Sequence, residues 1–103
     1  MKLIELNMQE IIRLCNKYRV KKLYVFGSIL TDRFNENSDV DFSVDFDGEK
    51  IANEKLDWAE LFFNFIHDME SLLGRRVDMV FDNHIKNQIF RKELDDTKHL
   101  IYG

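Results

Sequence analysis

Ser38-Asp39-Val40-Asp41-Phe42-Ser43-Val44-Asp45-Phe46 alternates without a break. Val40, Phe42, Val44 and Phe46 fall on one side, and Asp39, Asp41, Ser43 and Asp45 on the other. A period of two over this length predicts a β-strand with one face against a core and the other toward water. Upstream, Leu23-Tyr24-Val25-Phe26 is a continuous β-rich run between Lys21-Lys22 and Gly27, which predicts a buried strand. Residues 28 to about 33 read as a short helix or turn. Downstream, Arg76 to Phe81 alternates again, with Val77, Met79 and Phe81 inward and Asp78 opposite. His99 to Tyr102 reads as a short terminal strand or extended tail.

Between these segments the period changes to that of a helix. Asn7-Met8-Gln9-Glu10 reads as a capping box, stapled by Leu6 and Ile11, with Met8, Ile11, Ile12, Cys15 and Tyr18 as the apolar stripe to about Arg19. A long helix is expected from about Asn53 to Leu73, closed by Gly74 at the position where a left-handed residue ends a helix. Trp58, Leu61, Phe62, Phe65, Ile66, Met69, Leu72 and Leu73 share its apolar arc, and Phe63 widens it, so burial on more than one side is expected, either within the domain or against a partner. Ile85, Ile89, Phe90 and Leu94 mark a last helix. Helices and strands in alternation place the chain in the α/β (α+β) class, as a small mixed three- to four-stranded sheet flanked by helices. With no Pro and no repeat, residues 1–103 read as a single domain.

Composition narrows the function classes. Apolar residues make up 45% of the chain, nine Phe among them, which supports a compact core and excludes a disordered chain. Fifteen Lys and Arg against 19 Asp and Glu give a net charge of -4, which argues against nucleic acid as the main partner. The lone Cys15 makes no internal disulfide and, on an apolar stripe, reads as a core residue. Glu5 interrupts an opening that lacks the apolar run of a signal peptide, and no segment is apolar for long enough to span a membrane. A cytoplasmic protein is expected.

Two features carry chemistry. Gly27-Ser28 follows a strand and precedes a short helix or turn, where Gly permits a tight turn, Ser can cap, and N–H groups can receive a phosphate. Asp39-Val40-Asp41 puts two carboxylates on one strand face, ~7 Å apart at the backbone. Such a pair repels itself unless a cation lies between. Asp78, off the apolar register of the next strand, completes a hard-oxygen set suited to one or two Mg²⁺ ions. A competing pattern, Ser43 to Glu54, nearly spells a calcium loop, but Ser stands at its first ligand position and a strand precedes it instead of a helix. His67 reads as a solvent-exposed residue on the polar arc of the long helix, His84 and His99 have no metal-spaced partner, and Arg75-Arg76 reads as charge complementing a helix C-terminus.

Val25-Phe26-Gly27-Ser28, ten further residues and then Asp39-Val40-Asp41-Phe42, with a later Asp78, resembles the signature of the DNA polymerase beta-like nucleotidyltransferase superfamily. The short length and the ending Leu100-Ile101-Tyr102-Gly103 are similar to the minimal nucleotidyltransferases (MNT) that are paired with HEPN proteins. The resemblance implies that Asp39, Asp41 and Asp78 are catalytic and bind metal, two Mg²⁺ ions in all, while Gly27 and Ser28 bind the nucleotide. It implies ATP or another NTP as donor, a hydroxyl on a HEPN-type partner as acceptor, and an antitoxin role for an AMP-transferring enzyme. The sequence departs from the family pattern where Arg and a small residue are common: here stand Ile29 and Asp32. Those departures motivate an alternative, a catalytically weak module of the same fold that neutralises its partner by contact. Arg33, Lys86 and Arg91 are the candidate replacements for the missing cation. A nucleic-acid polymerase would need a primer-binding domain, for which the residues leave no room. The wide arc of the long helix and Leu100-Ile101-Tyr102 are the expected docking surfaces, for a partner or, in its absence, a homo-oligomer.

Overall fold

The computed structural model describes residues 1–103. Its elements are α1 (Lys2–Leu6), α2 (Met8–Lys17), β1 (Val20–Phe26), β2 (Val40–Phe46), α3 (Gly48–Asn53), α4 (Trp58–Leu73), β3 (Val77–Phe81), α5 (Gln88–Thr97) and β4 (His99–Tyr102). Short 3-10 turns occupy Gly27–Leu30 and Asp82–His84. The strands form one mixed sheet in the order β3-β2-β1-β4. β1 runs antiparallel to both β2 and β4, while β2 and β3 are parallel. A parallel pair needs a crossover, and α3 and α4 supply it.

The alternation of β2 does what its period dictates: Val40, Phe42, Val44 and Phe46 are all buried. With Leu23 and Val25 of β1 and Met79 of β3 they form the sheet side of the core. Ile11, Leu14 and Cys15 of α2 and Phe65, Met69 and Leu73 of α4 close it from above. Phe42 and Phe65 are the largest side chains fully removed from water, and truncating either to Ala should cost about 3–5 kcal/mol. The opposite sheet face is covered in part by α5, whose Phe90 meets Phe26 edge-on at 6.0 Å. Ser43 breaks the expected polar face: it is fully buried, its hydroxyl donating to Asp82 at 2.7 Å.

Several expected boundaries move, each for a local reason. The capping box does not form, because Asn7 Nδ2 turns back to donate to Leu3 O at 2.8 Å at the end of the separate helix α1. The long helix starts later than expected, at Trp58, and a separate short helix, α3, ends at Asn53 where it was to begin. Asp47 caps α3 by accepting from Lys50 N at 3.0 Å, which also removes the calcium-loop reading. Asp57 caps α4 by accepting from Ala59 N and Glu60 N at 2.9 and 3.3 Å. Gly74 ends α4 in the left-handed region, as expected. Asn87 starts α5, so Ile85 precedes that helix. Within the domain the apolar arc of α4 is buried on one side only, and Phe63 is left 66% exposed and Trp58 45%.

Candidate active site

β1 and β2 meet so that Phe26 faces Asp41, and β2 and β3 meet so that Asp41 faces Asp78. Neighbouring strands lie about 4.8 Å apart, so this register sets two carboxylate-bearing residues side by side next to the end of β1. Asp39 precedes β2 by one residue and is exposed. Val40 N donates to Arg76 O at 3.0 Å, fastening the start of β2 beside the start of β3. Asp39, Asp41 and Asp78 therefore gather at one corner of the sheet.

Gly27 sits directly against that corner. Its φ of 80° favours glycine, and a Cβ there would collide with Asp41 Oδ2 and lie 3.2 Å from Asp41 Cγ. The carboxylate of Asp41 is thus pressed onto the Gly27 backbone. Burial, then the charges of Asp78 and Asp39, push its pKa up from 3.8 to about 6. No donor within the chain compensates it. Ser28 does not cap a helix as expected. It lies inside the 3-10 turn, where its carbonyl accepts from Thr31 N at 2.9 Å and Thr31 Oγ1 at 2.8 Å, and its own hydroxyl bonds to nothing in the chain.

Beside the turn a cleft of about 330 Å³ opens toward α5, lined among others by Phe26, Gly27, Ser28, Arg33, Phe90 and Glu93. Of the three candidate cations, only Arg33 reaches it. Arg91 is committed to Asp82 and Asp95, and Lys86 lies outside the lining. Ile29, where the family pattern has Arg, is 5% exposed and belongs to the core.

Sequence reasoning missed Arg75. Its Nη1 donates to Asn35 O at 2.7 Å and Ser38 O at 3.0 Å, and its guanidinium lies 4.5 Å from the centre of the Phe34 ring. It clamps the loop that ends at Asp39. Its polar partners are backbone carbonyls far along the chain, so no local pattern could have paired them.

The chemistry of the corner is that of a site for cations and a polyanion. Its donors are hard carboxylate oxygens, their mutual repulsion is relieved by positive charge, and they suit Mg²⁺. No three His, Cys, Asp or Glu side chains form a ready-made metal cluster.

Such a corner beside a Gly-Ser turn fits phosphoryl or nucleotidyl transfer on carboxylate-held metal. The family model described as Polymerase beta, Nucleotidyltransferase matches residues 9–103, and the chain belongs to that family of enzymes. A provisionally named protein adenylyltransferase of Methanocaldococcus jannaschii, MJ1379, is 32% identical over 100 residues, 92% of this chain and 93% of that protein. Protein adenylyltransferase MntA of Thermococcus cleftensis is 31% identical over 84 residues, 82% of this chain and 78% of that one. Among solved structures, a minimal nucleotidyltransferase superposes with a TM-score of 0.74 at 21% identity, covering 95% of this chain and 92% of its own. A chain from a tri-AMPylated Shewanella oneidensis HEPN toxin in complex with MNT antitoxin matches with a TM-score of 0.65 at 20% identity, covering 96% and 71%. These structural likenesses establish the shared fold. Enzymes of this type generally use divalent metals.

Proposed function

We propose that this enzyme moves AMP from ATP onto a hydroxyl of a HEPN-type partner protein, as the antitoxin of a pair. The observation that carries the reading is the unpaired Asp41 carboxylate pressed against Gly27, with Asp78 beside it in register and Asp39 close enough to act on its charge. The names of the relatives add the donor and the kind of acceptor. Asp39 and Asp41 would hold Mg²⁺ on the triphosphate, and Asp78 would complete a second ion's ligands. When bound, the ions supply charge neutralisation for in-line displacement of pyrophosphate. Gly27 leaves room for Asp41 and lets the turn approach the phosphates. Asp78, at the exposed edge of the group, would accept the proton of the attacking hydroxyl.

The test is incubation with ATP labelled at the α-phosphate, Mg²⁺ and a HEPN protein paired with this chain, followed by mass determination of that protein. A mass gain of one or more AMP units that disappears without Mg²⁺ or in Asp39→Asn supports the reading. Neutralisation of the partner with no AMP attached would overturn it in favour of the contact-only module.

A further inference from the structure

We infer that Arg33 is the triphosphate-binding cation of this site, taking the part that Ile29 cannot play. The inference rests on the proposed use of a nucleoside triphosphate and assigns the contact that sets its affinity.

The charge balance of the corner requires such a group. Glu93 lines the cleft beside the Gly27-Ser28 turn, while Asp41, with the charges of Asp78 and Asp39 acting on it, lies against Gly27 outside that lining, so a polyphosphate reaching from the cleft to the carboxylates meets negative charge at both ends. Ile29 is turned into the core. The cations of α5 and the Lys98 that follows it are already paired: Arg91 with Asp82 and Asp95, Lys92 with Asp96, Lys98 with Asp82 and Asp95. Arg75 is held by backbone carbonyls. Arg33 is the one cation in the lining of the cleft, and it forms no ion pair with any carboxylate of the chain.

Its position is also fixed relative to the turn. Thr31 Oγ1 donates to Ser28 O at 2.8 Å and accepts from Arg33 N at 3.2 Å. Asn35 Nδ2 donates to Arg33 O at 3.2 Å, and Asn35 N donates to Ser38 Oγ at 3.1 Å, one residue before Asp39. Arg33 therefore hangs on a hydrogen-bonded loop that runs from the phosphate turn to the first carboxylate. Its planar fork suits two phosphate oxygens at once, which a lysine would engage only as a point charge.

The experiment is calorimetric binding of ATP and, separately, AMP to the full chain with Mg²⁺. Arg33→Ala and Arg33→Lys are compared with the native protein, after thermal melts confirm that the exposed substitution leaves the fold intact. Arg33→Ala should weaken ATP by roughly tenfold or more and AMP by less than about twofold, with Arg33→Lys in between. The native protein's ATP affinity should also fall more steeply with salt than that of Arg33→Ala. Equal ATP affinity for native protein and Arg33→Ala overturns this assignment while the triphosphate reading stands. Failure of the native protein to bind ATP at millimolar concentration overturns both.

Discussion

Two aspartates on neighbouring parts of one sheet have opposite fates. Asp41, on β2, faces Asp78, is half-buried, has no donor, and its pKa rises to about 6. Asp82, just beyond β3, is also partly buried, and that burial alone would raise its pKa. Ser43, Lys98 and Arg91 outweigh the burial with three hydrogen bonds and hold its pKa below the usual 3.8. One corner gives its carboxylate donors and so ties β2 and the end of β3 to α5 and the Lys98 that follows it. The other withholds them, leaving negative charge that only something from outside the chain can neutralise. Residue type does not distinguish a site from a strut here; the supply of partners does.

The comparison breaks most sharply at Asp41. Asp41→Asn keeps the shape and removes the charge, and should lower nucleotide transfer by roughly a thousandfold, since metal-borne charge stabilisation is worth several kcal/mol. Metal-free stability should move the other way. A carboxyl whose folded pKa is raised from 3.8 to about 6 favours folding below pH 4, and that contribution is lost as pH rises through 6. Asp41→Asn should therefore melt no lower than the native protein at pH 7, and the gap between them should shrink toward pH 4. Full transfer activity in this variant would remove Asp41 from the site.

Asp82→Ala is the converse case. It strips the partner from the buried Ser43 hydroxyl, from Arg91 and from Lys98, and should destabilise the fold by about 2 kcal/mol in denaturant titration. The pH sign is also reversed: the depressed pKa of Asp82 stabilises the fold above pH 4, and this is lost as pH falls through the folded value. Asp82→Ala that unfolds at the native midpoint would show the network to be ornamental.

Arg75 comes next. Its two bonds to Asn35 and Ser38 carbonyls hold the loop before Asp39 without touching the reacting atoms. Arg75→Ala should lower kcat about tenfold through misplacement of Asp39, and Arg75→Lys should recover only part of it, because an ammonium can reach the carbonyls but lacks the planar guanidinium that lies over the Phe34 ring. The Mg²⁺ concentration giving half-maximal transfer should rise in parallel. A purely structural Arg75 would change the melting temperature and leave that Mg²⁺ dependence in place.

The contrast between Asp41 and Asp82 also marks what was legible. The alternation from Ser38 to Phe46 gave strand, core face and both acidic positions, because period two is a local property of the chain. The Gly27-Ser28 turn and Gly74 were legible for the same reason: backbone geometry forces the residue. The helix starts at Asp57 and Asn87 were missed because each cap is a single side chain that an unbroken apolar period conceals. The burial of Ser43, the commitment of Arg91 and the clamp by Arg75 depend on partners brought together only by the fold. Which aspartates were paired could not be read before the strands were in register.

The smallest effect separates the two corners through one hydroxyl each. Ser28 Oγ makes no bond within the chain and lines the cleft, whereas Ser43 Oγ is fully buried and donates to Asp82 at 2.7 Å. A neutral hydroxyl's hydrogen bond is worth on the order of 1 kcal/mol, about a fivefold change in an equilibrium. Ser43→Ala should therefore lose about 1 kcal/mol of stability, as Asp82 keeps its two cations but loses its buried donor, with ATP affinity unchanged. Ser28→Ala should leave the melting curve alone, since the turn is held by the Ser28 carbonyl and Thr31, and should weaken ATP about fivefold. Measured together, the pair forms a crossover in which each substitution moves only the property its corner supports. If Ser28→Ala altered stability and left ATP binding untouched, the turn would belong with Asp82 among the struts.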